Sequence, residues 1–341
     1  MLAHGGNLSA AAKAFGIPEA EWLDLSTGLN PVAWKLNNPI PTEYLTRLPY
    51  PDAQLQKAAA HYYRTPNILP VSGSQAAIQV LPQIIETNRV AVPAIGYEEH
   101  RYHWQKNGHQ LQPYNPYQDD ILSIAEQDQP SVILVINPNN PTAHLHSRET
   151  LLKLLNIVEG YGGLLIIDEA FIDTHPDNSL SAIESDSLII LRSIGKFFGL
   201  PGIRTGFVIA RQHWLDKIES ALGPWTLSGP SQWIATQCLN DKGWQQQAIK
   251  SLKISATGQA AMLSNELKRF GIEEAHSTDY FISFIMNKSI AEQIKAHFGE
   301  NGILIRGIEL DDQRSLLRFG LCANNDAVAR VQKAASSFLL T

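Results

Sequence analysis

Three short runs constrain this chain more than anything else in it. Val132-Ile133-Leu134-Val135-Ile136, Leu164-Leu165-Ile166-Ile167 and Leu188-Ile189-Ile190-Leu191 are continuously apolar and rich in β-branched residues. Runs of this length without polar alternation read as strands buried on both faces, the condition of a parallel sheet covered by helices. Each run empties into polar residues: Asn137-Pro138-Asn139-Asn140-Pro141-Thr142, Asp168-Glu169-Ala170-Phe171, and Arg192-Ser193-Ile194-Gly195-Lys196. Side chains at the carboxyl ends of such strands face the ligand crevice of an α/β sheet, so the three ends are expected to converge on one assembled site.

The chemistry of that site follows from Lys196. A lysine that must bond to an aldehyde cofactor needs a fixed, partly desolvated position. Ser193, three residues before it, and Arg204, eight after it, are both suited to grip one phosphate. This is the layout of a pyridoxal phosphate site. Ser-x-x-Lys alone would be weak, since a lysine after a strand is ordinarily a solvated charge. A further anion site is expected where Ser72-Gly73-Ser74-Gln75-Ala76-Ala77-Ile78 opens a helix with Ser74 near its N-cap. Free amide protons and the positive end of the helix dipole favour phosphate there, and Pro82 is expected to kink or end the helix.

These motifs, in this order and followed by Gly-x-x-Gly-x-Arg, resemble the fold-type I pyridoxal phosphate enzymes, in the branch of histidinol-phosphate aminotransferase. The resemblance spans residue 4 to about residue 320. It implies a large α/β domain with a mainly parallel sheet plus a smaller α+β domain. It also implies that Asp168 holds the pyridine nitrogen protonated, that Asn140 donates to the ring's phenolic oxygen, and that Tyr97 stacks on the ring, although Tyr97 stands one residue further from Pro93 than the family pattern. Pro49-Tyr50-Pro51-Asp52 matches a segment whose tyrosine reaches the cofactor phosphate of the neighbouring subunit, which implies a homodimer with shared sites.

Two departures bear on the reaction. Many aminotransferases of this branch carry tyrosine three residues after the aspartate, where this chain has Phe171, and the glycine that commonly follows Asn-Pro-Asn-Asn-Pro-Thr is Ala143. The opening His4-Gly5-Gly6-Asn7, the segment Asp24-Leu25-Ser26-Thr27-Gly28-Leu29-Asn30-Pro31 and Arg192–Leu200 resemble instead a decarboxylase group within the branch. The expected reaction is decarboxylation of L-threonine phosphate to aminopropanol phosphate for cobalamin biosynthesis. Histidinol-phosphate or related transamination is the alternative, and a non-catalytic small-molecule-binding protein on the same scaffold is a third. Arg318 matches the arginine that forks the substrate carboxylate and Arg306 one used against a distal phosphate. His4, Gly5, Gly6, Asn7, Asn30 and Asn140 complete the substrate residues that the resemblance implies.

Composition excludes several other classes. The 341 residues are 44% hydrophobic and 18% charged, enough for a substantial core and for two domains. A net charge of −6 offers no general attraction to nucleic acid or to an anionic membrane, so an anionic substrate needs local cations. Cys238 and Cys322 are too few and too isolated for a disulfide framework or a metal cluster, which fits a reducing cytoplasm. No apolar stretch approaches a membrane span. The expected organisation is an N-terminal arm over residues 1–30, which the family resemblance implies joins the small domain, a large cofactor domain over 31–230 with an irregular connector at 31–51, and a small C-terminal domain over 231–341. In that last domain a helix near 231–270 is followed by strands near 281–286, 302–306 and 316–320 and a final helix from about Asn325.

Overall fold

The computed structural model describes residues 4–86, 88–117 and 120–340, so the first three residues of the expected arm lie outside it. It divides into two compact units. One comprises residues 33–140 and 144–247, the other 1–32, 141–143 and 248–341. A boundary after residue 230 was expected. The division falls later because helix Gly229–Asn240 stays with the first unit, where the Gln232 side chain accepts from the Asp52 amide at 2.9 Å and donates to the Leu227 carbonyl at 3.2 Å. The single helix expected near 231–270 is two, broken at Asp241.

The first unit is built on a seven-stranded sheet in the order Ile68–Val71, Gly206–Ala210, Leu188–Ser193, Leu164–Asp168, Val132–Ile136, Arg89–Pro93, Gln110–Tyr114. Gly206–Ala210 pairs antiparallel on both sides, and the remaining pairings are parallel. The three apolar runs are the middle of this sheet, and every residue of Val132–Ile136 and Leu164–Asp168 is buried. Continuous apolarity follows from helices covering both faces. On one of them Val132, Leu134, Leu164, Ile166, Ile189 and Leu191 pack with Ala77, Ile78 and Leu81 of helix Ser74–Ile84 and with Leu215 and Ile218 of helix Gln212–Leu222. Each such valine, leucine or isoleucine side chain contributes about 1.5–3 kcal/mol when fully buried. Pro82 sits inside helix Ser74–Ile84, which runs two residues past it.

The second unit carries a four-stranded antiparallel sheet in the order Arg306–Glu309, Arg314–Gly320, Phe281–Asn287, Glu274–Ser277. The strand expected near 302–306 is split. Ile303–Leu304 pairs in parallel with Leu23–Asp24 from the N-terminal segment, whereas Arg306 onward pairs with Arg314–Gly320. A final helix runs over Asn325–Ser337. The chain passes very close to itself at Gly320, where a Cβ would lie 2.3 Å from the Thr27 carbonyl oxygen, and the Gly320 amide donates to the Leu25 carbonyl at 2.7 Å. Among the described residues no helix is long and apolar enough to cross a membrane.

Candidate active site

The carboxyl ends of the three central strands meet at one cleft in the first unit, lined by Gly73, Ser74, Gln75, Tyr97, Asn140, Asp168, Phe171, Ser193, Lys196 and Arg204 together with Ile136 and Ala170. Ten of the eleven residues expected around the cofactor are therefore brought together. The exception is Tyr50, which lines a separate cavity of about 660 Å³ with Trp225, Pro49 and Pro51 and is 68% exposed.

One end of the cleft is an anion cradle. Helix Ser74–Ile84 begins there, with Ser74 next to the cap as expected; the cap itself is Gly73, whose backbone lies at φ 74°, a left-handed value that suits glycine. A Cβ on Gly73 would stand 2.9 Å from Arg204 Nη2, so the bare glycine is what allows the guanidinium to close over the turn. Gly206 does the same for the helix itself, since a Cβ there would lie 2.5 Å from the Ser74 amide nitrogen. Gly206 is the strand partner of Ser193, so Ser193, the Ser74 amide and Arg204 border one volume. Helix-start amides, a hydroxyl and a guanidinium form the donor set a phosphate needs.

At the other end stands Asp168, buried, with one oxygen accepting from the Ala170 amide at 3.0 Å and the other 2.9 Å from His100 Nε2. His100 is also buried and went unnoticed in the sequence reading. No sequence pattern marks it: it lies in the first turn of the polar helix Glu98–Lys106, whose N-cap is Tyr97. Tyr97 is held in turn by donating to Gln75 Oε1 at 3.1 Å, while the Gln75 amide donates to Glu99 at 2.8 Å. The Asn-Pro-Asn-Asn turn divides its labour. The Asn137 amide donates to the Asp168 carbonyl at 2.8 Å and Asn139 Nδ2 to the Ile95 carbonyl at 3.1 Å, leaving Asn140 as the asparagine that lines the cleft.

Lys196 is half-buried, with Nζ 5.2 Å from the centroid of the Phe171 ring. Beneath it lies a buried ion cluster. Arg192 reaches Glu169 at 3.1 Å and Asp173 at 2.8 Å and stacks 4.5 Å from the Tyr63 ring, while Tyr62 donates to Asp173 at 2.9 Å and Ser179 to Glu169 at 2.5 Å. Burial pushes Glu169 above the usual carboxylate range. Burial lowers Arg192 too, but Asp173 and Glu169 more than offset that and hold it above its ordinary value. The cluster ties the residue after Asp168 to the residue before Ser193. A lysine amine, a buried carboxylate, an aromatic wall and an anion cradle together fit pyridoxal phosphate.

The expected substrate residues other than Asn140 lie in the second unit. Arg306 and Arg318 are directly opposed across paired strands, which puts two guanidinium groups on one face. Arg318 is buried. Burial, with Arg306 adding a like charge, pushes it down to about 9, against the opposing pull of Asp24. A guanidinium held so far below its ordinary value gains from an anion. His4 is exposed, Asn30 Oδ1 accepts from the Val32 amide at 3.0 Å, and Asn7 Oδ1 caps helix Leu8–Phe15 by accepting from Ala10 at 3.0 Å.

The family described as "Aminotransferase class I and II" matches residues 25–335, and this chain belongs to it. Within it, the chain is 39% identical to a threonine-phosphate decarboxylase of Pseudomonas aeruginosa, over 99% of this chain and 98% of that one. It is 34% identical to a threonine-phosphate decarboxylase of Sinorhizobium over 97% and 98%. It is 30% identical to a histidinol-phosphate aminotransferase of Buchnera aphidicola over 64% and 62%. Among solved structures, histidinol-phosphate aminotransferase from Sinorhizobium meliloti in complex with pyridoxal-5'-phosphate superposes with a TM-score of 0.77 over 98% of this chain and 94% of that one, at 19% identity, and shares the fold.

Proposed function

We propose that this chain is a pyridoxal phosphate enzyme that decarboxylates L-threonine phosphate to aminopropanol phosphate, a step that serves cobalamin biosynthesis. The observation that carries the reading is the extent of similarity. The two decarboxylases match 99% and 97% of the chain, and the Buchnera aminotransferase only 64%.

When bound, the cofactor supplies an aldehyde for covalent attachment and a conjugated ring that accepts the electron pair left by departing carbon dioxide. Lys196 Nζ would carry it, and the Ser74 amide, Ser193 and Arg204 would hold its phosphate. Asp168 would hold the pyridine nitrogen protonated, so that the ring can accept electrons, Tyr97 would stack on the ring and Asn140 would donate to its phenolic oxygen. Phe171 offers no hydroxyl to that oxygen, unlike the tyrosine of many aminotransferases. Arg318 would take the substrate carboxylate, the group that leaves as carbon dioxide. Arg306 and the residues from His4 to Asn7 take the distal phosphate. Lys196 Nζ or a water returns a proton to the α-carbon. A transaminase would align the Cα–H bond instead.

We also propose a cytoplasmic homodimer in which Tyr50 serves the partner's site. Its support is the exposed apolar group Leu45, Leu48, Tyr50 and Trp225, with the Tyr50 and Trp225 rings edge to face at 6.1 Å. Both cysteines are free and buried, and burial pushes both thiols up, Cys322 to about 12.

The deciding experiment is product analysis. Purified protein mixed with threonine phosphate should release carbon dioxide and form aminopropanol phosphate, with unphosphorylated threonine a poor substrate, and borohydride should fix a pyridoxyl group on Lys196. Amino transfer to a keto acid without carbon dioxide, or a colourless protein that binds no cofactor, overturns the reading.

A further inference from the structure

The second unit contains a junction at Ser26 that no expected site residue explains. Asp24 Oδ1 accepts from the Ser26 amide at 2.8 Å and from the Ser26 hydroxyl at 2.6 Å, closing a tight turn. With its proton committed to Asp24, that hydroxyl accepts from the Gly6 amide at 2.7 Å. On the other side of the same residue, the Ser26 carbonyl accepts from Arg318 Nη2. Ser26 itself is 2% exposed.

The glycines around this junction are fitted to it. A Cβ on Gly5 would lie 2.3 Å from the Ser26 carbonyl oxygen, so any side chain there lifts the arm away. Gly6 has φ 84°, the left-handed region in which other residues are strained. Gly320, two residues beyond Arg318, admits the 25–27 backbone against the strand that carries the arginine. The sequence thus lets three segments meet on one serine.

We propose that Ser26 is a positioning residue that couples the N-terminal arm to Arg318: its hydroxyl seats Gly6 while its carbonyl aims the guanidinium, so the arm and the carboxylate-binding arginine move as one element. The role of Arg318 rests on the function proposed above, and the seating of the arm does not. When the arm is docked, the turn held by Asp24 keeps the carbonyl pointed at Arg318. Without the Gly6 contact the turn keeps its bonds to Asp24 but loses its tie to the arm, and the carbonyl directs Arg318 less firmly.

Hydrogen exchange of the holoenzyme, read at the Gly6 amide, and steady-state kinetics with threonine phosphate test this together. Ser26→Ala should speed Gly6 exchange at least about tenfold and raise KM about tenfold, with kcat changed less than about threefold. Gly5→Ala should reproduce both effects. Asp24→Asn keeps an oxygen acceptor for the turn and should leave Gly6 protected. A serine that merely packs would lower the melting temperature without moving KM. Unchanged Gly6 exchange in Ser26→Ala overturns the seating of the arm. Faster exchange with wild-type KM overturns the coupling. If the wild-type protein releases no carbon dioxide from threonine phosphate, the functional reading fails, and the exchange measurement by itself then decides whether Ser26 seats the arm.

Discussion

His100 Nε2 lies 2.9 Å from Asp168 Oδ2, with both side chains buried, so the carboxylate proposed to face the cofactor's ring nitrogen has a fixed second partner. With the Ala170 amide on its other oxygen, Asp168 has no freedom to turn away. His100→Phe should keep the bulk and lose the contact. A charge-assisted hydrogen bond is worth about 1.5–3 kcal/mol, so kcat/KM should fall roughly ten- to a hundredfold while the cofactor remains on Lys196. Steady-state kinetics beside an absorbance spectrum would check this, and wild-type turnover in the variant would refute it.

Arg306 and Arg318 face each other across paired strands. Like charges at directly opposed positions cost roughly 0.2–1 kcal/mol, so Arg306→Met should stabilise the unliganded protein by an amount in that range. The same change should raise KM for threonine phosphate at least about tenfold by removing a charge-assisted contact. Urea unfolding and kinetics on one preparation give both numbers. A variant that is less stable but binds substrate normally would contradict the anion-site assignment.

Ala143 occupies the left-handed region at φ 64° and is buried, at the position where related chains commonly carry glycine. An L-residue there costs roughly 1–2 kcal/mol, partly offset by the entropy that glycine adds to the unfolded chain. Ala143→Gly should therefore raise stability by about 0.5–1 kcal/mol. A fall in the urea midpoint would show that methyl packing outweighs the backbone strain.

If Tyr50 completes the neighbouring subunit's site, Tyr50→Ala and Lys196→Ala proteins should complement each other. A mixed dimer contains one site with an intact lysine from one chain and an intact tyrosine from the other. Mixing after mild dissociation should produce activity above that of either parent, measured as carbon dioxide release. No recovery, with mixed dimers shown to form, would place Tyr50 outside the catalytic unit.

Sequence alone revealed what is periodic or local. Val132–Ile136, Leu164–Asp168 and the strand leading to Ser193 and Lys196 were legible because a strand covered on both faces has no polar alternation, and the cleft residues at their ends came with them. His100 was not legible. Its partner is 68 residues away, and a histidine on a polar helix start carries no pattern of its own. How closely Arg204 and Gly206 approach the turn at Gly73 was hidden too, because it is a tertiary fact. The split after Leu304 was hidden for a similar reason, because two short strands in one apolar run are distinguished only by their partners, Leu23–Asp24 and Arg314–Gly320.

The ion cluster beneath the cleft changes how a mutational survey of this protein would read. Glu169 and Arg192 adjoin Asp168 and Ser193 in sequence but do not line the cleft, and removing one member of a buried pair costs about 3–5 kcal/mol. Screened by activity in cells, substitutions at both positions would score as severely as those at Asp168 and Lys196, through scarcity of folded protein and not through slower chemistry. Intolerance to change along this stretch is therefore poor evidence for catalysis, and the two kinds of residue separate only when rate is measured per folded molecule.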